Sequence, residues 1–366
     1  MNNLLILGLD IGGVNTKTAL IKFQNSEIKE SFSHIEYFPF WEKTIDDIPK
    51  MLKKIVSNLE KQSNYKYKLR NVDQIAITIT AELSDAFQTK REGILTILDA
   101  LGDVFEIQKL FFINNEGKFI DYETAKSEYY SIAAANWVST SLFLGHFLSQ
   151  CVLIDAGSTT IDIIPILNSV PVAKGKDDVS RMLNHELIYT GGLRATIPSI
   201  THFVPYKGEL IRISFERFAL VSDIHRILNN ISEEEYINDT ADNRSKSIDN
   251  CYARLARIIC MDIDTITKDE LDEIAEYIYK KQIEIVSEEI QKFIAELIKR
   301  IPAFEKNLSF IITGSSSNFL AKKALKKLGY DDIQDYGHIT NIPDNISSSA
   351  FAVAGALQLQ LLKNKS

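Results

Sequence analysis

Asp10 closes an apolar run, Leu4 to Leu9, and is followed by Gly12, Gly13, Asn15, Thr16 and Lys17. The chemistry open to this set is the gripping of an anion. Glycines let the backbone approach a ligand closely, and the amide, hydroxyl and ammonium suit phosphate oxygens or a hydrated metal. The order recurs in Val152–Asp162, where Asp155 ends a second apolar run before Gly157, Ser158, Thr159 and Thr160. The two acids stand about one domain length apart. A duplicated acid-plus-glycine turn points to two similar halves facing one polyanion. A third apolar run, Leu308–Thr313, ends in Gly314 and Ser315.

These turns need strands to carry them and helices to cover the strands. Leu4–Asp10, Thr16–Phe23 and Ile28–Tyr37 read as an antiparallel start, with a turn at Gln24-Asn25-Ser26. Helical spacing follows over Ile45–Lys61, then a buried strand over Val72–Thr80, a helix over Lys90–Leu101 and a strand over Lys109–Ile113. Ser131–Leu148 reads as an alanine-rich amphipathic segment leading into the second acid-tipped strand. Ile161–Leu167 returns from that turn, and Pro165 within it implies an edge or a bulge. Val170–Lys207 is turn-rich. A polar loop, Asp239–Arg244, precedes an arginine-rich helix near Cys251–Cys260. Thr267 and Glu270 form a capping box for a helix or helix pair over Thr267–Ile301, whose glutamates read as a solvated face. Lys322–Leu328 and Ser347–Leu362 read as helices, the last rich in small residues that permit close packing.

With 366 residues, 45% of them hydrophobic and 25% charged, the chain can bury a sizeable core in about two domains. A net charge of −8 argues against a nucleic-acid surface. Three cysteines without metal-ligand spacing fit buried thiols in a reducing compartment. The first apolar run is too short for a signal peptide or a membrane span, so a cytoplasmic protein without membrane partners is expected.

The acid-tipped turns, the strand ending in Thr313-Gly314-Ser315 and the closing alanine-rich helix resemble the superfamily of actin, sugar kinases, Hsp70, acetate kinase and hydantoinase/oxoprolinase. That resemblance implies an α/β protein of two ribonuclease-H-like halves with mixed sheets flanked by helices. The first half would be residues 1–149, closed by a C-terminal helix at 347–363. The second would be 150–346, with a helical insertion around 208–307. Six stretches, in order, resemble the archaeal and methylotroph family of H4MPT-linked C1-transfer-pathway proteins, whose methanogen members serve methanofuran biosynthesis. They are Leu9–Lys17 (LDIGGVNTK), Thr80–Gly93 (TAELSDAFQTKREG), Ala133–Trp137 (AAANW), Ile154–Ile166 (IDAGSTTIDIIPI), Glu186–Arg194 (ELIYTGGLR) and Asp239–Ala256.

This resemblance implies a condensation of 5-(aminomethyl)-3-furanmethanol diphosphate with γ-glutamyltyramine, forming an aryl ether and releasing diphosphate. Such a reaction needs a trap for the departing polyanion. Asp10 and Asp155 would hold Mg2+, and Lys17 would pair with diphosphate. Gly12, Gly13, Asn15, Thr16, Gly157, Ser158, Thr159, Thr160, Gly314 and Ser315 would line it. The phenol nucleophile, with a free pKa of ~10, calls for a base; Glu82 is the candidate and Asp85 the second. Arg91 and Arg194 could meet the γ-glutamyl carboxylate, and Tyr189 or Trp137 could stack on a ring. The default superfamily chemistry, an ATP-dependent kinase or amide hydrolase, is the alternative, with ATP as its ligand. Nucleotide-binding members show a double glycine where this chain has Gly314 alone. An ATP-switching scaffold is a third class.

Overall fold

The computed structural model describes residues 3–25, 27–343 and 347–364. In chain order the first elements are β1 (Asn3–Gly12), β2 (Asn15–Gln24), β3 (Glu27–Tyr37), α1 (Asp47–Gln62), β4 (Gln74–Thr80), α2 (Lys90–Val104), β5 (Leu110–Ile113), β6 (Phe119–Asp121), α3 (Tyr122–Ser127) and α4 (Asn136–Gly145). Next come β7 (Gln150–Ala156), β8 (Ile161–Leu167), β9 (Val170–Pro171), α5 (Asp178–Leu183), β10 (Leu187–Ile188), β11 (Phe203–Tyr206) and β12 (Glu209–Arg212). The rest are α6 (Val221–Ile227), α7 (Ile248–Arg257), α8 (Lys268–Arg300), α9 (Ala303–Lys306), β13 (Phe310–Thr313), α10 (Lys322–Lys327), β14 (Ile333–Asp335), α11 (Tyr336–Thr340) and α12 (Ser348–Lys363).

Two compact units emerge, the first comprising 1–151, 164–180 and 335–366, the second 152–163 and 181–334. The first therefore takes in 164–180 and 335–346 besides the stretches expected of it. Its sheet runs β3-β2-β1-β4-β5-β6. β1, β2 and β3 are antiparallel neighbours, whereas β4 runs parallel to both β1 and β5. The second sheet runs β10-β8-β7-β13-β14, with β10 antiparallel to β8 and β13 parallel to β7. In both, the first strand lies centrally, the second and third flank it on one side, and the fourth and fifth flank it on the other. The same strand order twice is the ribonuclease-H-like pair of halves, mixed sheets flanked by helices, that the sequence implied.

The period of two in β1 sorts its side chains onto two helical layers. Leu5, Leu7, Leu9 and Ile11 share a core with Ile48, Leu52 and Ile55 of α1 and with Ile94, Ile97 and Leu98 of α2. On the opposite face stands Gly8, where a Cβ would lie 2.1 Å from the Ala350 carbonyl oxygen. That glycine lets α12 settle directly on the strand.

Two expectations are corrected. The amphipathic segment expected over Ser131–Leu148 is not one regular element: its helix is α4 alone, because Ala133 bridges to Ile79 and Ala134, with φ 48°, donates its N–H to the Ile79 carbonyl. Nor is it amphipathic: Trp137, Val138, Thr140, Phe143 and Leu144 are all buried. β8, which contains Pro165, is neither a sheet edge nor bulged in the pairing described. Its outer neighbour is discontinuous instead, β10 pairing with Ile161–Asp162 and β9 with Ile166–Leu167. Proline, which has no N–H to offer a ladder, sits between those two pairings. As expected of a helix or helix pair, α8 is one continuous 33-residue helix, with Ile274, Ile278, Val286 and Ile290 on its buried side and Glu273, Glu276, Glu288 and Glu296 exposed. The Thr267–Glu270 capping box at its start is as expected. No helix among the described residues is long and apolar enough to cross a membrane.

Candidate active site

In the first unit β1 delivers Asp10 to the end of the sheet. Asp10 stands opposite Lys17 in β2 and opposite Thr78 in β4. Residues directly opposite across a ladder share a face, so carboxylate, ammonium and hydroxyl project together. Ser349 of α12 donates to Asp10 Oδ2 at 2.5 Å. This contact depends on Gly8, since the close descent of α12 onto β1 brings Ser349 within reach of the acid. The turn that follows is tight at Gly12, where a Cβ would be 2.8 Å from the Asn15 carbonyl oxygen. It is tied down by Phe38 and Phe40, whose N–H groups donate to the carbonyls of Val14 and Gly13.

Glu82 belongs to the same end of the sheet, two residues beyond β4, and is 2% exposed. Burial is the largest influence on its carboxyl and pushes the pKa up to about 7, against weaker lowering by its own backbone hydrogen bond and by Lys90. Its position depends on Gly93 of α2, where a Cβ would lie 2.6 Å from the Glu82 carbonyl oxygen and 2.8 Å from its Cα. Glu82 Oε2 is buried without a hydrogen-bond partner, and so are Asn15 Oδ1, Thr16 Oγ1, Thr78 Oγ1, Ser84 Oγ and Ser347 Oγ. Buried polar groups are ordinarily satisfied. A concentration of unsatisfied oxygens at the carboxyl ends of parallel strands, where α/β sheets bind ligands, makes this end of the sheet the candidate ligand site.

In the second unit the turn at Asp155–Thr160 is built differently. Gly157 spends its own N–H on the Thr160 carbonyl at 2.9 Å, so the expectation that this backbone N–H cradles phosphate is corrected. Gly191 N–H donates to Thr159 O at 2.9 Å, Gly192 N–H to Gly157 O at 3.1 Å, and Leu193 and Arg194 N–H groups to Ser158 O. Both glycines are required by proximity, a Cβ on Gly191 falling 2.5 Å from the Ser158 carbonyl carbon and one on Gly192 2.1 Å from Ser316 Oγ. From β13 comes Gly314, at φ +92°, where a Cβ would meet Ala156 O at 2.3 Å and Asp155 Oδ1 at 2.6 Å. Ser316 then donates through N–H to Ala156 O and through Oγ to Gly157 O, each at 2.8 Å. Ser158, Thr159 and Thr160 remain half-buried, and Ser315 is exposed.

The structure thus brings Asp10, Gly12, Gly13, Asn15, Thr16, Lys17 and Glu82 to one end of the first sheet. Asp155, Gly157, Ser158, Thr159, Thr160 and Gly314 gather at one turn of the second unit, with the Arg194 backbone bonded to it. Arg91 is exposed on α2, its guanidinium over the Tyr129 ring at 5.7 Å, and Asp85 is exposed. Tyr189 is 57% exposed, whereas Trp137 is buried in the core. Thr78, Ser84, Ser347, Ser349 and Ser316 escaped the reading of the sequence. The serine run before α12 was visible, but its proximity to Asp10 is a long-range contact no local pattern carries. No group of three or more His, Cys, Asp or Glu able to hold a metal occurs among the described residues. Asp10 and the Thr78 hydroxyl opposite it in β4 nonetheless suit a hard cation, since Mg2+ takes one or two carboxylates and completes its shell with water and substrate phosphate.

Residues 73–360 match the family described as hydantoinase/oxoprolinase. The chain belongs to the hydantoinase/oxoprolinase family. The chain is also 35% identical, over 98% of its length and 99% of the relative's, to the (4-{4-[2-(γ-L-glutamylamino)ethyl]phenoxymethyl}furan-2-yl)methanamine synthase of Methanocaldococcus jannaschii. The synthase of the same name from Methanococcus vannielii is 36% identical over 151 residues, 40% of this chain and 68% of that protein. Among solved structures, nucleotide-free acetone carboxylase has a TM-score of 0.53 at 11% identity, covering 97% of this chain and 70% of that one, a likeness of fold alone.

Proposed function

We propose that this hydantoinase/oxoprolinase-family protein is a transferase that condenses 5-(aminomethyl)-3-furanmethanol diphosphate with γ-glutamyltyramine in methanofuran biosynthesis. The observation that carries this reading is the 35% identity to a named synthase along essentially the whole of both chains. That relative's product contains a phenoxymethyl-furan linkage, which calls for an aryl ether between a phenol and a furan-methyl carbon. The phenol oxygen bonds to the furan methylene carbon, the carbon–oxygen bond to diphosphate breaks, and its electron pair leaves with diphosphate.

In this reading Lys17 and the groups around Gly12, Gly13, Asn15 and Thr16 hold the polyanion. Glu82 takes the phenolic proton on Oε2. A carboxyl with a pKa of about 7 is well matched to that role, being ionised in part at neutral pH yet far more basic than an exposed glutamate. A bound Mg2+ would neutralise charge building on the leaving group; its candidate carboxylates are Asp10 in the first unit and Asp155 in the second. Arg91, Arg194 and Tyr189 are candidates for substrate recognition. Localisation in the cytoplasm of an archaeal cell belongs to the same proposal.

The test supplies ATP or the furan diphosphate, each with and without γ-glutamyltyramine, and measures diphosphate release and ether formation. Ether and diphosphate in equal amounts, dependent on both substrates, are expected. ATP hydrolysis with no ether formed would overturn the reading in favour of kinase or amide-hydrolase chemistry.

A further inference from the structure

Gln282 occupies the buried side of α8 between Ile278 and Val286, four residues from each, where helical spacing calls for an apolar side chain. Its amide is fully engaged. Nε2 donates to Thr190 Oγ1 and to the Gly191 carbonyl, both at 3.0 Å. Oε1 lies 3.0 Å from His225 Nε2. His225 is wholly buried on α6, ringed by Tyr279 and Phe319, and burial drives its pKa down to about 3, so the imidazole is neutral. The Asn230 amide nitrogen, which can only donate, is 3.2 Å from Nδ1. The single ring proton therefore sits on Nε2 and points at Gln282 Oε1. The bonds all run one way: Asn230 to His225, His225 to Gln282, and Gln282 to Thr190 and Gly191. Gly191 and Gly192 in turn donate to Thr159 and Gly157.

We infer that Gln282 is a positioning residue for the turn Gly157–Thr160 that follows Asp155, fixing the Thr190–Gly192 segment that holds that turn in shape. The inference rests on the functional reading above, in which Asp155, at the head of this turn, is a candidate carboxylate for the Mg2+ bound with diphosphate. Gln282 acts through the carbonyl and hydroxyl it holds, not on substrate. An amide suits the place because one donor pair must meet two acceptors while one acceptor receives the imidazole N–H. Neither glutamate nor leucine satisfies both ends.

Titration calorimetry with inorganic diphosphate and Mg2+, together with steady-state kinetics on the full chain, tests this. Gln282→Leu is expected to weaken diphosphate binding at least tenfold and to raise KM for the furan diphosphate, leaving KM for γ-glutamyltyramine within twofold. Thr190→Val, which removes one acceptor and should fold in any case, is expected to weaken binding about threefold. Ser287→Ala is the control, because Ser287 lies on the same helix and bonds the Ile283 and Ala324 carbonyls, away from the turn. It should lower Tm without moving diphosphate affinity. Unchanged affinity in Gln282→Leu and Thr190→Val, or equal weakening in Ser287→Ala, would overturn the inference alone. Failure of the unmutated protein to bind diphosphate would overturn the functional reading and the inference with it.

Discussion

The two acid-tipped turns share a sequence order and differ in how their polar atoms are used. In the first unit, at the end of the sheet that carries Asp10 and in the serine run before α12, oxygens of Asn15, Thr16, Thr78, Glu82, Ser84 and Ser347 are buried without hydrogen-bond partners. Around Asp155, the turn carbonyls of Ala156, Gly157, Ser158 and Thr159 all accept bonds from Gly191–Arg194 or Ser316. A buried polar group left unsatisfied costs about 1–3 kcal/mol. The first turn therefore carries a standing cost that a ligand can relieve, and the second has already invested its groups in rigidity. From one duplicated pattern, the first turn keeps buried side-chain oxygens unbonded, and the second has its backbone carbonyls bonded to neighbouring segments.

The largest effect expected is at the acids themselves. Asp10→Asn should lower turnover about 10³-fold and Asp155→Asn about 10²-fold, by comparison with the loss of one group that stabilises charge in a transition state. Both should leave a folded protein, checked by circular dichroism. A larger loss at Asp155 would reverse the division of labour between the turns.

Glu82→Gln should cost about 10²–10⁴-fold in turnover and abolish the rise of rate with pH centred near 7. It should also act on stability in the opposite sense. Because burial raises the Glu82 pKa from 4.5 to about 7, the folded state holds a proton that the unfolded state has lost between those values. Wild-type stability therefore falls as pH rises through that window. Tm of Glu82→Gln should exceed that of the wild type at pH 8 and converge with it near pH 4.

Gly93→Ala sharpens the same point through packing. Its Cβ would meet Glu82 O at 2.6 Å, so α2 or the 80–84 loop must shift, at a cost of about 1–3 kcal/mol in stability. Turnover should fall with little change in substrate KM, because the base and not the polyanion grip is displaced. The smallest effect is expected from Arg91→Ala. Arg91 is exposed and stacked over Tyr129, so stability should move by under about 0.5 kcal/mol. KM for γ-glutamyltyramine, measured with saturating furan diphosphate, should rise a few-fold.

Much of the first half was legible along the chain. β1, β2, β3, β4, α1 and α2 carry regular apolar periods, and Asp10, Gly12 and Lys17 announce a turn by composition. Glu82 was readable as a carboxylate at a strand end, but its raised pKa was not, since that depends on α2 coming within contact of its backbone at Gly93. The Ser131–Leu148 segment shows no one-sided apolar pattern in the fold, because Ala133 and Ala134 are drawn out against Ile79 of β4 and α4 is buried all round. Gln282 could have been noticed as a polar residue in an apolar stripe, though nothing in the stripe names its partners.

Sequence by itself determined the family, the duplicated acid-plus-glycine turn and the identity of both acids, because periodicity, glycine placement and full-length identity are properties of the chain read in line. Tertiary structure alone decided which polar atoms are spent. Ser349 reaches Asp10 across 339 positions, Ser316 reaches Gly157 across 159, and Gln282 reaches Gly191 across 91. Hydrogen bonds form between atoms that packing brings within about 3 Å, and over such separations that proximity is set by the fold.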